Sequence, residues 1–279
     1  MIDQHKRAQL LERGFVLFPQ LLPASMVQHL RDVTGKMLEG RDHSATRSQG
    51  SMMLTSQDPA FADLIAYAPA LQALASLGYA KPTFSDGYVI SKPGASPRLF
   101  WHYDWFAWED PSSYQPEPQQ LFAMYYLSDT TPANGCLRVI PGSHIQHNAL
   151  HDLLGEPHSR ALSEASNLSL PEFSDREDEE SVPVRAGDLL IGDARLLHAA
   201  HENTVEARRT LITLWYQPNF EALPPRVQAQ MAAKTQKLPA SWPEDAKEKL
   251  SPLLPTARFH GGAEPYGRSL YRKAGTAAE

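Results

Sequence analysis

The sequence predicts a mainly β protein with flanking helices, built as an antiparallel sandwich or barrel. Three observations carry this. Six segments between Thr83 and Tyr216 are short, rich in aromatic and branched residues, and separated by Pro, Gly, Asn and Asp. No helical pattern alternates with them, which argues against a parallel nucleotide-binding sheet. The first 80 residues instead repeat apolar side chains at spacings of three and four.

Taken in order, a short helix opens the chain and the strand GFVLFP follows from Gly14. Met26, Val27, Leu30, Val33 and Met37 predict a second helix, with Ser25 after Pro23 as its N-cap, because a hydroxyl there can accept from a first-turn amide. A third helix is expected across 58–77 from the stripe Phe61, Leu64, Ile65, Leu71, Leu74 and Leu77. Strands are expected at 83–91, 99–106, 119–127, 136–140, 182–191 and 207–216. The polar stretch 145–181, ending in Asp175, Glu177, Asp178, Glu179 and Glu180, reads as a solvated loop, since the alternating oxygens and Gly of a calcium loop are missing. After Tyr216 come eight prolines from Pro218 to Pro265 and a helix-like piece at 227–237. The expected organisation is one domain over 1–279. It comprises a helical part at 1–80, a strand core at 81–218 and a Pro-rich extension at 219–279 packed on the barrel as part of a lid.

Composition narrows the function classes. With 42% hydrophobic and 21% charged residues among 279, a sizeable core is available, and no apolar run is long enough for a membrane span. Twenty-six Lys and Arg against 32 Asp and Glu give a net charge of -6, so no global positive field holds nucleic acid or an anionic membrane. Cys136 stands alone, which excludes an intrachain disulfide and a thiolate cluster. Together with an N-terminus lacking an apolar signal core, this makes a reducing cytoplasm the expected compartment. A metal would have to be held by the 11 His and the carboxylates. The oligomeric state is left open.

The run LFWHYDWFAWED sets His102 and Asp104 two apart on a predicted strand, which sends both side chains to one face. Alone, such a pair reads more readily as a structural His near a surface Asp. The segment GDLLIGDARLLHAAHEN adds His198 after a turn, and Arg209 follows at the start of an apolar strand. Two His and one carboxylate form the facial set used for non-haem Fe(II), which leaves three metal positions open. Zinc alternatives fit less well, because HExxH and a dense HxHxD cluster are both missing.

The combination of His102-Tyr103-Asp104, NGCLRVIPGSH from Asn134 to His144, GDLLIGDARLLHAAHEN from Gly187 to Asn203, and Arg209 resembles the phytanoyl-CoA dioxygenase family of Fe(II)/2-oxoglutarate oxygenases. The resemblance covers roughly 14–216. It implies a double-stranded β-helix, a cupin-like jelly roll, with iron held at its mouth by His102, Asp104 and His198. It also implies that Arg209 receives the distal carboxylate of 2-oxoglutarate, and that Tyr88 and Met124 contact this cosubstrate. The implied enzyme is a dioxygenase that uses O2 to hydroxylate or otherwise oxidise a C–H bond of a small organic substrate, releasing succinate and CO2. Met124 stands where relatives carry Trp, and Tyr103 where many carry Gln. Halogenation is disfavoured, because related halogenases replace the carboxylate that Asp104 retains.

Other positions have two readings. Tyr103, Trp105 and Phe106 are candidate substrate contacts, with Trp101 and Trp108 beside them, although aromatic residues on a strand more often belong to the core. His198 is preferred to His201 because it stands eleven residues before Arg209, the family's separation. His144 is expected as a hydrogen-bonding neighbour, Cys136 as a core residue, and Asp193 in the turn that presents His198. Arg98, Arg138 and Arg195 are candidates for a local anion site. The rival function is a non-catalytic metal- or ligand-binding jelly roll, which would need no Arg209; a metal-dependent hydrolase is a third.

Overall fold

The computed structural model describes residues 1–41, 46–155 and 159–272. Two antiparallel sheets face one another as a jelly roll. The larger has the order β1-β8-β5-β10-β3-β2 and the smaller β4-β9-β6-β7. In the larger sheet are β1 (Phe15–Phe18), β2 (Ser51–Leu54), β3 (Thr83–Lys92), β5 (Leu121–Tyr126), β8 (Leu189–Asp193) and β10 (Arg209–Gln217); in the smaller, β4 (Leu99–His102), β6 (Leu137–Val139), β7 (Glu180–Val182) and β9 (His198–Ala200).

Side-chain alternation divides the core into layers. On β5 and β10, Leu121, Ala123, Tyr125, Ile212, Leu214 and Tyr216 face outward and pack under the helices, with Leu10, Leu30, Leu64 and Leu74. Their neighbours Phe122, Met124, Tyr126 and Leu211 face inward toward Leu137, Val139 and Val182 of the smaller sheet. Both faces of these strands are covered, so β5 is buried at every position.

The helical layer starts as its sequence directs. In α1 (Gln4–Arg13) the Asp3 carboxylate accepts from the Lys6 amide, and Gly14 at φ 86° closes the last turn. Ser25 does not cap α2 (Ala24–Leu38). The helix begins two residues earlier than that cap implies, and the Pro23 carbonyl accepts from Met26 and Val27 at 3.0 and 3.1 Å. The single helix expected at 58–77 is two, α3 (Phe61–Ile65) and α4 (Ala68–Ser76), with Tyr67 extended between them. Pro69 in the first turn of α4 has no N–H for the carbonyl four residues back, so the helix cannot run through it.

Three further expectations are corrected. The strand expected at 182–191 breaks into β7 and β8 around Gly187, whose φ of 93° makes the turn. The strand expected at 99–106 ends at His102. The 145–181 stretch is more than a solvated loop, because Leu162 in α5 (Arg160–Ser163) and Phe173 pack against Phe100, while Asp175 and Glu179 pair with buried Arg138. In the extension, α6 (Pro225–Lys234) packs Val227 and Met231 beside Trp105, and α7 (Glu244–Leu250) joins the helical layer through Ala246 and Leu250. Among the described residues, no helix is long and apolar enough to cross a membrane.

The turn between β8 and β9 rests on an internal ion pair. Asp193 Oδ1 accepts from the Arg195 amide and Nε, both at 2.9 Å, and Oδ2 accepts from Nη2 at 2.6 Å. Arg195 Nη1 also donates to the Ser113 and Gln115 carbonyls at 2.9 and 2.6 Å. Both partners are sealed from solvent. Replacing Arg195 by Met should therefore lower the unfolding free energy by about 3–5 kcal/mol, since Asp193 would remain as an uncompensated buried charge. Urea denaturation measures this, and a loss below about 1 kcal/mol would assign the pair no structural role.

Candidate active site

His102 ends β4 and His198 begins β9, and the antiparallel register sets them directly opposite one another. Each imidazole is oriented by its own strand. His102 Nδ1 lies 3.0 Å from the Phe100 carbonyl and His198 Nδ1 lies 2.9 Å from the Leu196 carbonyl. A carbonyl only accepts, so each Nδ1 carries a proton and Nε2 is the nitrogen left to serve the cavity. Both Nε2 atoms approach one carboxylate: His102 Nε2 is 3.8 Å from Asp104 Oδ1, and His198 Nε2 is 3.8 Å from Asp104 Oδ2.

Asp104 arrives by a different route from the expected one. It is not on a strand beside His102; the chain bends after β4, and the amides of Asp104 and Trp105 both donate to the Ala194 carbonyl, at 2.7 and 2.9 Å. Trp215 Nε1 then donates to Asp104 Oδ2 at 2.9 Å and fixes the carboxylate. One donor atom from each of His102, Asp104 and His198 fits within 4.8 Å of the others, and this is the one such group of three among the described residues. Two imidazoles and one carboxylate on one side of an open space fit a divalent first-row metal that keeps vacant positions.

The three residues line a cavity of about 560 Å³ between the sheets, shared with Tyr88, Met124, Phe106 and Arg209. Arg209 is 4% exposed. Its Nε has no hydrogen-bond partner, and no carboxylate pairs with it among the described residues. Burial pulls its guanidinium below the ordinary arginine range. Gly135, at φ 82°, brings its backbone close beside that guanidinium. Across the β3–β10 ladder stands Lys92, whose ammonium donates to the Ser48 and Pro97 carbonyls. Burial and the Arg209 charge push Lys92 well below the usual lysine range.

Several candidates lie elsewhere. Tyr103 and Trp105 do not line this cavity, because the bend at Asp104 turns them into the core on the far side of the smaller sheet. There Tyr103 Oη accepts from the Tyr271 amide at 2.7 Å, and Trp105 Nε1 donates to Ser113 Oγ at 2.9 Å. Trp101 and Trp108 belong to the same core. His201 faces Ser181, its Nε2 2.7 Å from the hydroxyl. His144 bonds to the Leu11 carbonyl at 3.0 Å and to none of the three converging residues. Cys136 is buried. Arg98, Arg138 and Arg195 make no anion site, since each already pairs with an aspartate, at 175 or 193.

Sequence reasoning missed Trp215, Asp86, Lys92 and the cavity residues of the extension, Met231, Lys234 and Arg268. A signal for Trp215 existed, because it is six residues beyond Arg209 on one strand and therefore shares its face.

The phytanoyl-CoA dioxygenase (PhyH) family pattern matches residues 10–211. A phytanoyl-CoA dioxygenase of Arabidopsis thaliana is 28% identical over 160 residues, covering 56% of this chain and 52% of that protein. The ectoine dioxygenase of Halomonas elongata is 24% identical over 208 residues, covering 68% and 62%. The matches thus span about half to three-fifths of these curated relatives' lengths. Among solved structures, HygX from Streptomyces hygroscopicus with nickel and 2-oxoglutarate bound has a TM-score of 0.59 at 21% identity, covering 78% of this chain and 88% of that one. By the family pattern, which takes in most of its length, this chain belongs to the phytanoyl-CoA dioxygenase family.

Proposed function

We propose that the protein is an Fe(II)- and 2-oxoglutarate-dependent dioxygenase that oxidises a C–H bond of a small organic substrate, releasing succinate and CO2. One observation carries this reading: a buried arginine without an acidic partner shares a cavity with two imidazoles and a carboxylate that converge on one point. A buried, uncompensated cation costs several kcal/mol, and a dicarboxylate whose far end reached Arg209 would remove that cost. The planar guanidinium suits this task, because it can donate to both oxygens of a carboxylate.

His102, Asp104 and His198 would hold the metal. When bound, iron with 2-oxoglutarate and O2 supplies the oxidising chemistry. The chain's own contribution is orientation. The Phe100 and Leu196 carbonyls hold each imidazole proton on Nδ1, so that Nε2 faces the centre, and the Trp215 indole N–H keeps Asp104 from rotating. Tyr88, edge-on to Trp215 at 5.9 Å, and Met124 form apolar wall beside that centre. Asp104 offsets one metal charge and the proximal carboxylate of 2-oxoglutarate the other, while Arg209 offsets the distal carboxylate. The metal, the cosubstrate and the residues that hold them would then sum to neutral, with Lys92 beside them in a place where its own charge is disfavoured.

Two predictions follow from these roles. His198→Ala should abolish metal binding and succinate release, whereas His201→Ala should keep one metal per chain; metal stoichiometry in the two variants decides it, and the reverse pattern would reassign the ligand. Arg209→Met should retain metal but raise the KM for 2-oxoglutarate at least about a hundredfold, the equivalent of losing about 3 kcal/mol from one side of a buried charge pair. A KM near the wild-type value would place the cosubstrate anchor elsewhere.

A further inference from the structure

The inner faces of β3 and β10 form a graded ladder. Their register sets Lys92 opposite Arg209, Ile90 opposite Leu211, Tyr88 opposite Thr213 and Asp86 opposite Trp215. All of these residues line the cavity. The cations occupy the first rung and the carboxylate the last, six residues away, which is about 20 Å of extended strand. A five-carbon dicarboxylate anchored on Arg209 does not cover that distance, so Asp86 stands outside the cosubstrate's reach.

Asp86 is held in one orientation. Its Oδ1 accepts from the Gly87 amide at 2.8 Å and from Gln236 Nε2 at 3.1 Å. Gln236 is itself fixed, with Oε1 accepting from Thr55 Oγ1 at 3.1 Å and its backbone N–H donating to the Ser85 carbonyl at 2.7 Å. Among the described residues Oδ2 accepts no hydrogen bond and no cation pairs with the group, yet the side chain is half-buried. Burial pushes the carboxyl up to about 6. The residue opposite, Trp215, is the one whose indole holds Asp104, so Asp86 lines the same cavity as the three converging residues and is linked to them through one side chain.

We propose that Asp86 recognises the substrate by pairing with a cationic nitrogen, such as a protonated amine, on the molecule that is oxidised; this rests on the oxygenase function proposed above. The pairing gives a desolvated carboxylate the counter-charge it lacks. Lys234 and Arg268, which stand over the Phe106 ring at 5.4 and 3.7 Å, make another part of the lining cationic. Cations therefore outnumber acids around the cavity, and overall charge alone would favour an anionic substrate. An amine preference is accordingly diagnostic of Asp86 itself.

Ligand-observed NMR tests this on protein loaded with Mn(II) and saturating 2-oxoglutarate. The probes are two matched sets: benzylamine, benzyl alcohol and benzoate, and pentylamine, pentanol and pentanoate. The paramagnetic ion broadens whichever compound lodges beside it. The amine of each set should be broadened most. Its apparent affinity should fall at least about tenfold in Asp86→Asn, which preserves the acceptor for Gly87 and Gln236 but removes the charge. Asp86→Glu should retain the amine preference. Equal or stronger broadening of the alcohols or acids, no broadening of any probe, or a preference that survives Asp86→Asn would overturn the proposal. Mn(II) retention and 2-oxoglutarate affinity in the same wild-type samples report separately on the oxygenase reading, and their absence would count against that reading.

Discussion

The carbonyl oxygen of Ala194 accepts the amides of both Asp104 and Trp105, and this double acceptance turns the chain sharply out of β4. The bend sends Asp104 into the cavity and the large rings of Tyr103 and Trp105 into the core behind the smaller sheet. It also ties the site to the turn between β8 and β9, because Ala194 lies between Asp193 and Arg195, whose buried ion pair shapes that turn. The same turn delivers His198 through the Leu196 carbonyl that orients its ring. Two of the three converging residues, distant in sequence, thus depend on one short segment, 193–198. Its rigidity comes from charge pairing and backbone hydrogen bonds rather than from apolar packing alone.

Electrostatics gives the cavity direction. At one end of the β3–β10 ladder a buried guanidinium has no acid beside it, and at the other a half-buried carboxylate has no cation. Charged groups left without partners in a folded protein are costly, so their separation inside one cavity marks where ligand charges belong. Ile90, Leu211, Tyr88 and Thr213 fill the rungs between. A dianionic cosubstrate and a cationic substrate group would meet opposite ends of this gradient, with the carbon atoms to be oxidised between them.

Much of this was legible in the sequence because strand periodicity is local. The strands at 121–126 and 209–217 follow directly from their aromatic and branched residues, and the two histidines and Arg209 were identifiable from motif and spacing. Asp104 does lie beside the two histidines, but the geometric reason for expecting it there does not hold, since a bend and not a strand carries it. Aromatic character could not tell Phe106, which lines the cavity, from Tyr103 and Trp105, which do not; a single backbone turn decides that. Asp86 and Gln236 were invisible for another reason. Their contact joins residues 150 positions apart, and neither belongs to a recognisable spacing.

The central claim is that one cavity holds a single metal on His102, Asp104 and His198 and a dicarboxylate that ends on Arg209. A crystal structure of the protein prepared anaerobically with Mn(II) and 2-oxoglutarate, with anomalous scattering recorded for the metal, tests it most directly. The account predicts one anomalous peak among the Nε2 atoms of the two histidines and the Asp104 carboxylate, with dicarboxylate density running from that peak to the Arg209 guanidinium. A peak elsewhere, or a bound dicarboxylate that leaves Arg209 unpaired, would contradict it.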